Sequence, residues 1–181
     1  MKFCVGIRTK LGYYILNKRI MKVSRHKQVY NLDTAKSVGI IFNATKQSSF
    51  DAAKELAEYI SKKQADVFAL GFVDSKEILN YYSDRSGFDF FSRKNLNWYG
   101  KPNNPVTEKF INRETDILID LSLENFFPIQ YIVGLSKARF KSGRFIEGDS
   151  YYDLMIDIRK NNELSSFIKH LKHYLSTINN I

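Results

Sequence analysis

Short apolar runs rich in β-branched residues alternate with helix-period segments along most of this chain, and that alternation constrains its fold more than any other feature. Ser37-Val-Gly-Ile-Ile-Phe-Asn43, Val67-Phe-Ala-Leu-Gly-Phe-Val73 and Asp116-Ile-Leu-Ile-Asp-Leu-Ser122 are nearly continuous in apolar character. Such runs belong to strands of a parallel sheet covered on both faces. Between the first two, Phe50, Ala53, Leu56, Ala57 and Ile60 recur at helical spacing. Ser48 is the expected N-cap, with Asp51 three residues on, and the helix should reach Lys63. Residues 37–73 therefore read as strand–helix–strand, with parallel strands and a right-handed crossover.

The rest of the chain keeps the alternation. Ser75 should cap a short helix over Lys76–Tyr82, and Leu96–Tyr99 reads as a short strand. Asn104 caps a helix over Pro105–Ile111, and Pro128 opens another that continues through Ile129, Ile132, Val133 and Leu135. Arg139–Phe145 and Tyr152–Ile158 follow as strands. Asn162 and Glu163 open a last helix with Leu164, Phe167, Ile168, Leu171, Tyr174, Leu175 and Ile178 as its apolar stripe. The class is α/β: a single Rossmann-like three-layer domain over residues 37–181 with a mostly parallel sheet of about five strands. The chain length of 181 residues suits one such domain.

Charge divides the chain differently. Residues 1–36 hold nine Lys or Arg (Lys2, Arg8, Lys10, Lys18, Arg19, Lys22, Arg25, Lys27, Lys36) against Asp33 alone, whereas residues 37–181 hold 19 basic and 18 acidic residues. Residues 1–36 read as a basic helical arm ahead of the domain, with a helix over 3–25. Val5, Tyr13, Leu16, Ile20 and Val23 share one arc, and Arg8, Lys18, Arg19, Lys22 and Arg25 lie roughly opposite. Ile7, Leu11 and Ile15 intrude on the basic side, so the helix is only partly amphipathic. Such an arm points to an anionic partner: RNA, a ribonucleoprotein such as the ribosome, or an anionic membrane surface. The alternative is a solvated arm whose charge only keeps it soluble.

Several classes are disfavoured. Cys4 is the single cysteine, so no intrachain disulfide forms, and a cytoplasmic location is expected. No apolar run reaches the length of a membrane span, and Arg8 and Lys10 interrupt the start too early for a signal peptide. His26, His170 and His173 have no acid or cysteine placed to complete a metal site. No dinucleotide fingerprint, P-loop or nucleophile elbow is present, so no cofactor is expected and the balance leans away from an enzyme.

Two groups of residues remain as candidates. Arg93, Lys94, Trp98, Tyr99 and Lys101 interleave basic and aromatic side chains, the pattern that takes phosphates while stacking bases; the same residues could form a strand whose Trp faces the core. The nucleic-acid-contacting set is then Arg8, Lys18, Arg19, Lys22, Arg25, Lys27, Arg93, Lys94 and Trp98. Ligands of an open α/β sheet gather beyond the carboxyl ends of its strands, which nominates Asn43, Asp74, Asp120 and Ser122. Asp120 reads either as a ligand contact or acid/base group, or as a structural acid accepting backbone N–H bonds from the loop after Ser122. The structural reading is the stronger.

Five stretches carry a resemblance: Leu70-Gly-Phe-Val-Asp74, Phe90 to Pro102 (Phe-Phe-Ser-Arg-Lys-Asn-Leu-Asn-Trp-Tyr-Gly-Lys-Pro), Asp116 to Ser122, Leu135-Ser-Lys-Ala-Arg-Phe-Lys-Ser-Gly143, and Tyr152-Asp-Leu-Met-Ile-Asp157. With Val38-Gly-Ile-Ile-Phe-Asn43 they resemble an uncharacterised conserved family common in Bacteroidetes, whose members carry a domain of unknown function. That likeness implies no activity. Asp116–Gly143 alone is similar to the N-terminal Rossmann-like half of heptosyltransferase-type glycosyltransferases. This second likeness implies a small glycosyltransferase-like or nucleotide-sugar-binding domain with its site at the strand ends. Three readings follow in order: a non-catalytic binding protein whose basic arm contacts RNA or a ribonucleoprotein, an enzyme of the strand-end type, and a peripheral membrane protein.

Overall fold

The computed structural model describes residues 2–77, 87–148 and 151–178, with side chains from residue 6 onward. Six strands form one sheet: β1 (Ser37–Asn43), β2 (Asp66–Val73), β3 (Phe88–Ser92), β4 (Ile117–Asp120), β5 (Phe140–Arg144) and β6 (Leu154–Ile156). Their spatial order is β3-β2-β1-β4-β5-β6, and every neighbouring pair is parallel. That is the strand order of a Rossmann fold, with six strands rather than about five, and its direction reverses between β1 and β4.

Helices cover both faces. On one side α2 (Gln47–Ser61) and α5 (Leu164–Thr177) bury Phe50, Leu56, Ile60, Phe167, Leu171 and Leu175 against Val38, Ile40, Phe42 and Ile119. On the other, α4 (Phe127–Leu135) sets Ile129, Ile132 and Val133 on Ile41, Leu70, Phe72 and Leu118, and the neighbouring α3 (Pro105–Asn112) packs Val106, Phe110 and Ile111 on the same cluster. The double covering explains why β1 and β4 read as unbroken apolar runs.

The N-terminal helix, α1 (Lys2–Ile20), ends sooner than the expected 3–25 and lies on α4. All nine residues of α4 are buried. A helix apolar on every side needs cover on its outer side as well as on its sheet side, and α1 supplies it. Leu16 is 0% exposed and packs with Phe127, Tyr131 and Leu135. Two glycines permit the close approach: a Cβ on Gly12 would sit 2.7 Å from the Phe127 ring, and one on Gly134 would sit 2.8 Å from Ile20 Cδ1. Tyr13 donates to Gln130 Oε1 at 2.6 Å, and Arg19 donates to the Tyr131 hydroxyl at 2.8 Å. Beyond α1 the chain runs as a strap around the amino edge of the sheet. Gln28 N–H donates to the Arg139 carbonyl, Leu32 N–H to the Leu175 carbonyl, and Lys36 N–H to Asp116.

Local departures from expectation have local causes. No strand forms over Leu96–Tyr99; the strand is Phe88–Ser92, where Phe88 and Phe90 alternate onto the α2 side and Phe91 onto the other. Residues 96–102 instead close a turn, because the Asn97 side chain takes the Tyr99 and Lys101 amides that a ladder would need. Ser48 does not cap α2: that helix begins at Gln47, with Lys46 in the cap position and no side-chain bond there. Asn104 caps α3 as read, accepting from Thr107 N–H at 2.9 Å. The helix expected over Lys76–Tyr82 falls largely outside the described residues.

Candidate nucleic-acid interface and the carboxyl-edge cleft

Two concave regions lie along the carboxyl edge of the sheet. The first is a groove of about 410 Å³ between the start of α1 and the segment after β3. Arg8 and Thr9 enter it from α1, Phe72 and Asp74 from the end of β2, and Arg93, Leu96, Asn97 and Trp98 from the turn beyond β3. Trp98 is 64% exposed, while its neighbour Tyr99 turns inward onto the α1–α4 packing. The two rings meet edge to face at 5.3 Å. The tight turn 96–102 explains this split: it reverses the chain within a few residues and sends adjacent side chains to opposite sides. The reading in which Trp98 faces the core does not hold, and the basic–aromatic segment meets the basic helix across one groove.

The expected nucleic-acid residues sort into three positions. Arg8, Arg93 and Trp98 line the groove, with Lys94 exposed beside them. Lys18, Arg19 and Lys22 lie exposed along and just beyond α1, Lys18 with its ammonium 4.5 Å from the centre of the Tyr14 ring. Arg25 and Lys27 sit at the other end, by the amino edge of the sheet. The Arg25 guanidinium grips Asp153 through two bonds of 2.8 and 2.7 Å and also donates to the Arg139 carbonyl at 3.0 Å. Its side chain is 10% exposed, so it is committed to holding the strap. Lys27 stands 3.6 Å from the same carboxylate. Burial pushes the Asp153 carboxyl up, but the Arg25 bonds and the Lys141 amide outweigh it and hold the group below its ordinary value.

Arg93 is also partnered. Its guanidinium donates to Asp74 at 2.6 and 3.0 Å. Asp74 N–H in turn donates to Thr45 Oγ1, whose hydroxyl donates to Asn43 Oδ1 at 2.6 Å. This chain fixes Arg93 at the groove wall, at the cost of sharing its charge with Asp74. Of the two cations lining the groove, Arg8 is the one that enters no ion pair among the described residues.

The outer side of α1 carries more than charge. Ile7, Leu11, Tyr14 and Met21 are exposed, at spacings that stack them on one stripe opposite Leu16. Ile7 and Leu11, apolar intruders of the sequence, thus belong to a second stripe opposite the buried one, with Lys18 within it and Arg8 and Arg19 on one flank.

The second concavity is a cleft of about 820 Å³ where the strand order reverses, between the ends of β1 and β4. Asn43 and Ser122 line it. Asp120 does not: it lies buried behind Ser122, accepting from Ser122 N–H at 2.8 Å and from the Tyr152 hydroxyl at 2.6 Å. Burial raises its carboxyl, against the pull of those two donors. Tyr152 is raised well above its ordinary value by burial and by the same carboxylate. The donors to Asp120 are Ser122 itself and Tyr152, not the loop after Ser122. Sequence reasoning placed Asn43, Asp74, Asp120 and Ser122 at one edge, and the structure divides them among cleft, groove and core. It missed Lys169 and Lys172, which line the cleft from α5 together with Lys46 just ahead of α2; the α5 lysines lie beside the Leu164–Ile168–Leu171 stripe, and only the packing of α5 shows that they face the cleft.

Among the described residues no group of three or more His, Cys, Asp or Glu could hold a metal ion, and no helix is long and apolar enough to cross a membrane. No curated protein and no solved structure matches the chain, so the glycosyltransferase likeness gains no support from them. A family model does match, over residues 8–178, taking in most of α1 with the sheet and its helices. The chain belongs to this family, a family of unknown function designated DUF6913.

Proposed function

We propose that the protein is a non-catalytic RNA-binding protein whose interface is the groove between α1 and the Arg93–Tyr99 turn, extended along the basic sides of α1. One observation carries this reading. Two stretches some eighty-five residues apart, each picked out by basic residues, meet at one groove, and the only tryptophan of the chain stands exposed at its wall. An exposed indole beside Arg8 and Lys94 offers a stacking face next to phosphate contacts, the arrangement used for unpaired bases. Helix α1 contains no acid, and Arg8 and Lys18 are about 15 Å apart along it, room for several phosphates of a strand.

The test is fluorescence anisotropy of labelled single-stranded RNA with the full chain, Arg8→Glu and Lys18→Glu, alongside sedimentation with vesicles of anionic and of neutral lipid. RNA affinity should fall in both variants, and binding should weaken steeply with salt. Binding to anionic vesicles without binding to RNA would overturn the proposal and assign α1, through Ile7, Leu11, Tyr14 and Met21, to a bilayer surface.

A further inference from the structure

We propose that the cleft between β1 and β4 binds a phosphate-bearing small molecule of nucleotide size, with its phosphate at the first turn of α2 and its uncharged part against Phe126 and Ile168. The position follows from topology: a crevice opens where neighbouring strands send their crossovers to opposite faces, and here that crevice measures about 820 Å³. Its chemistry follows from three independent features.

The first is an orphaned polar group. Ser122 lines the cleft, is 5% exposed, and its hydroxyl has no hydrogen-bond partner. It lies alongside the Asp120 carboxylate without reaching bonding geometry, whereas its own amide is bonded there. A buried hydroxyl without a partner destabilises the free protein, and turned into the cleft it would bond a ligand oxygen.

The second is the pair of helix N-termini that open on the cleft. Helices α2 and α5 both begin there, with Lys46 and Glu163 in the cap positions and no side-chain cap on either. First-turn amides left uncapped present donors and a positive dipole end to an anion.

The third is the charge pattern. Lys46, Lys169 and Lys172 face the cleft, and Glu55, Glu124 and Glu163 share its lining. The acids offset the lysines, so the cleft does not attract polyanions in general. It favours a ligand that places one compact anion at the α2 terminus beside Lys46 and Lys169. Lys172 is partly engaged, its ammonium 4.4 Å from the centre of the Tyr59 ring. Phe126, Leu123 and Ile168 supply an apolar wall for a base or similar ring.

The test is a titration of the isotope-labelled full chain with inorganic phosphate and with adenosine monophosphate, followed by amide chemical shifts. The nucleotide should bind saturably and more tightly than phosphate, moving the amides of Gln47–Ser49 and Ser122. Lys46→Ala and Lys169→Ala should each weaken it by about tenfold. Ser122→Ala should weaken it too, while leaving thermal stability equal or higher because the orphaned hydroxyl is gone. Arg8→Glu should leave it unchanged, so failure here and failure of the RNA reading are told apart. No saturable binding up to about 10 mM, equal affinity for phosphate and nucleotide, or shifts mapping to Trp98 and α1 would each overturn the proposal.

Discussion

Two buried ionisable side chains decide much of what the carboxyl and amino edges of the sheet can tolerate. Burial raises the Asp120 carboxyl, and the Tyr152 hydroxyl and the Ser122 amide, which both donate to it, oppose that shift. Tyr152→Phe removes one donor and should cost about 1–3 kcal/mol, read as a lower midpoint in urea unfolding. Lys141 is 2% exposed, and its amine donates to the Val133 and Gly134 carbonyls at the end of α4, at 2.6 and 3.3 Å. Burial, reinforced by Arg25, lowers it from 10.5 to about 7, with Asp153 opposing. An amine whose folded value lies below its unfolded value binds fewer protons folded than unfolded between those two values. Its contribution to stability is therefore complete above the ordinary lysine value, declines as pH falls, and is lost through about 7. The stability difference between the native chain and Lys141→Met should grow from about pH 7 to pH 9.5; a difference flat across that interval would contradict the titration. The partners of neither group were legible in the sequence. Asp120 in an apolar run was visible as an anomaly, but its partner Tyr152 arrives from a distant segment. Lys141 shows no sign of burial in the sequence, because nothing local reveals that α4 ends above it.

At the scale of elements, α1 and α4 form the least predictable and most consequential pair. Leu16→Ala should cost about 2–5 kcal/mol, as for a fully buried leucine, although it lies in a helix that reads as a basic arm. Gly12→Val should also destabilise, since its first side-chain carbon already meets the Phe127 ring at 2.7 Å. Thermal melts of both variants check this, and unchanged melting would mean that α1 does not cover α4. The strands and helices of the sheet layers were readable because each carries one period: β1 and β4 as apolar runs, α2 and α5 as single stripes. Helix α1 was not readable in the same way because it has two opposed apolar stripes, Leu16 with Tyr13 and Ile20 inward and Ile7 with Leu11 and Tyr14 outward. Their moments cancel, and the pattern looks like noise. The uniform apolarity of α4 was the complementary signal, for a helix with only one covered side has no use for nine buried residues.

Across the whole molecule, both proposed sites lie at the carboxyl edge, and the cations of the first thirty-six residues divide between two environments. Arg25 is consumed in closing the strap at the amino edge, and Lys27 stands by the same Asp153 carboxylate. Arg8, Lys10, Lys18 and Lys22 keep their charge at the surface. The meeting of Arg8 with Arg93 and Trp98 was only half legible: both clusters stand out in the sequence, but their adjacency depends on where α4 holds α1. Trp98 makes that interface directly observable, since it is the single tryptophan in the chain and stands 64% exposed. The decisive measurement is its intrinsic fluorescence during titration with single-stranded RNA at low and at moderate salt. Base stacking predicts a saturable quench whose midpoint moves to higher RNA concentration as salt rises, and which Arg8→Glu weakens. RNA binding that leaves the Trp98 emission unchanged, or no binding at low salt, would contradict an interface built on this groove.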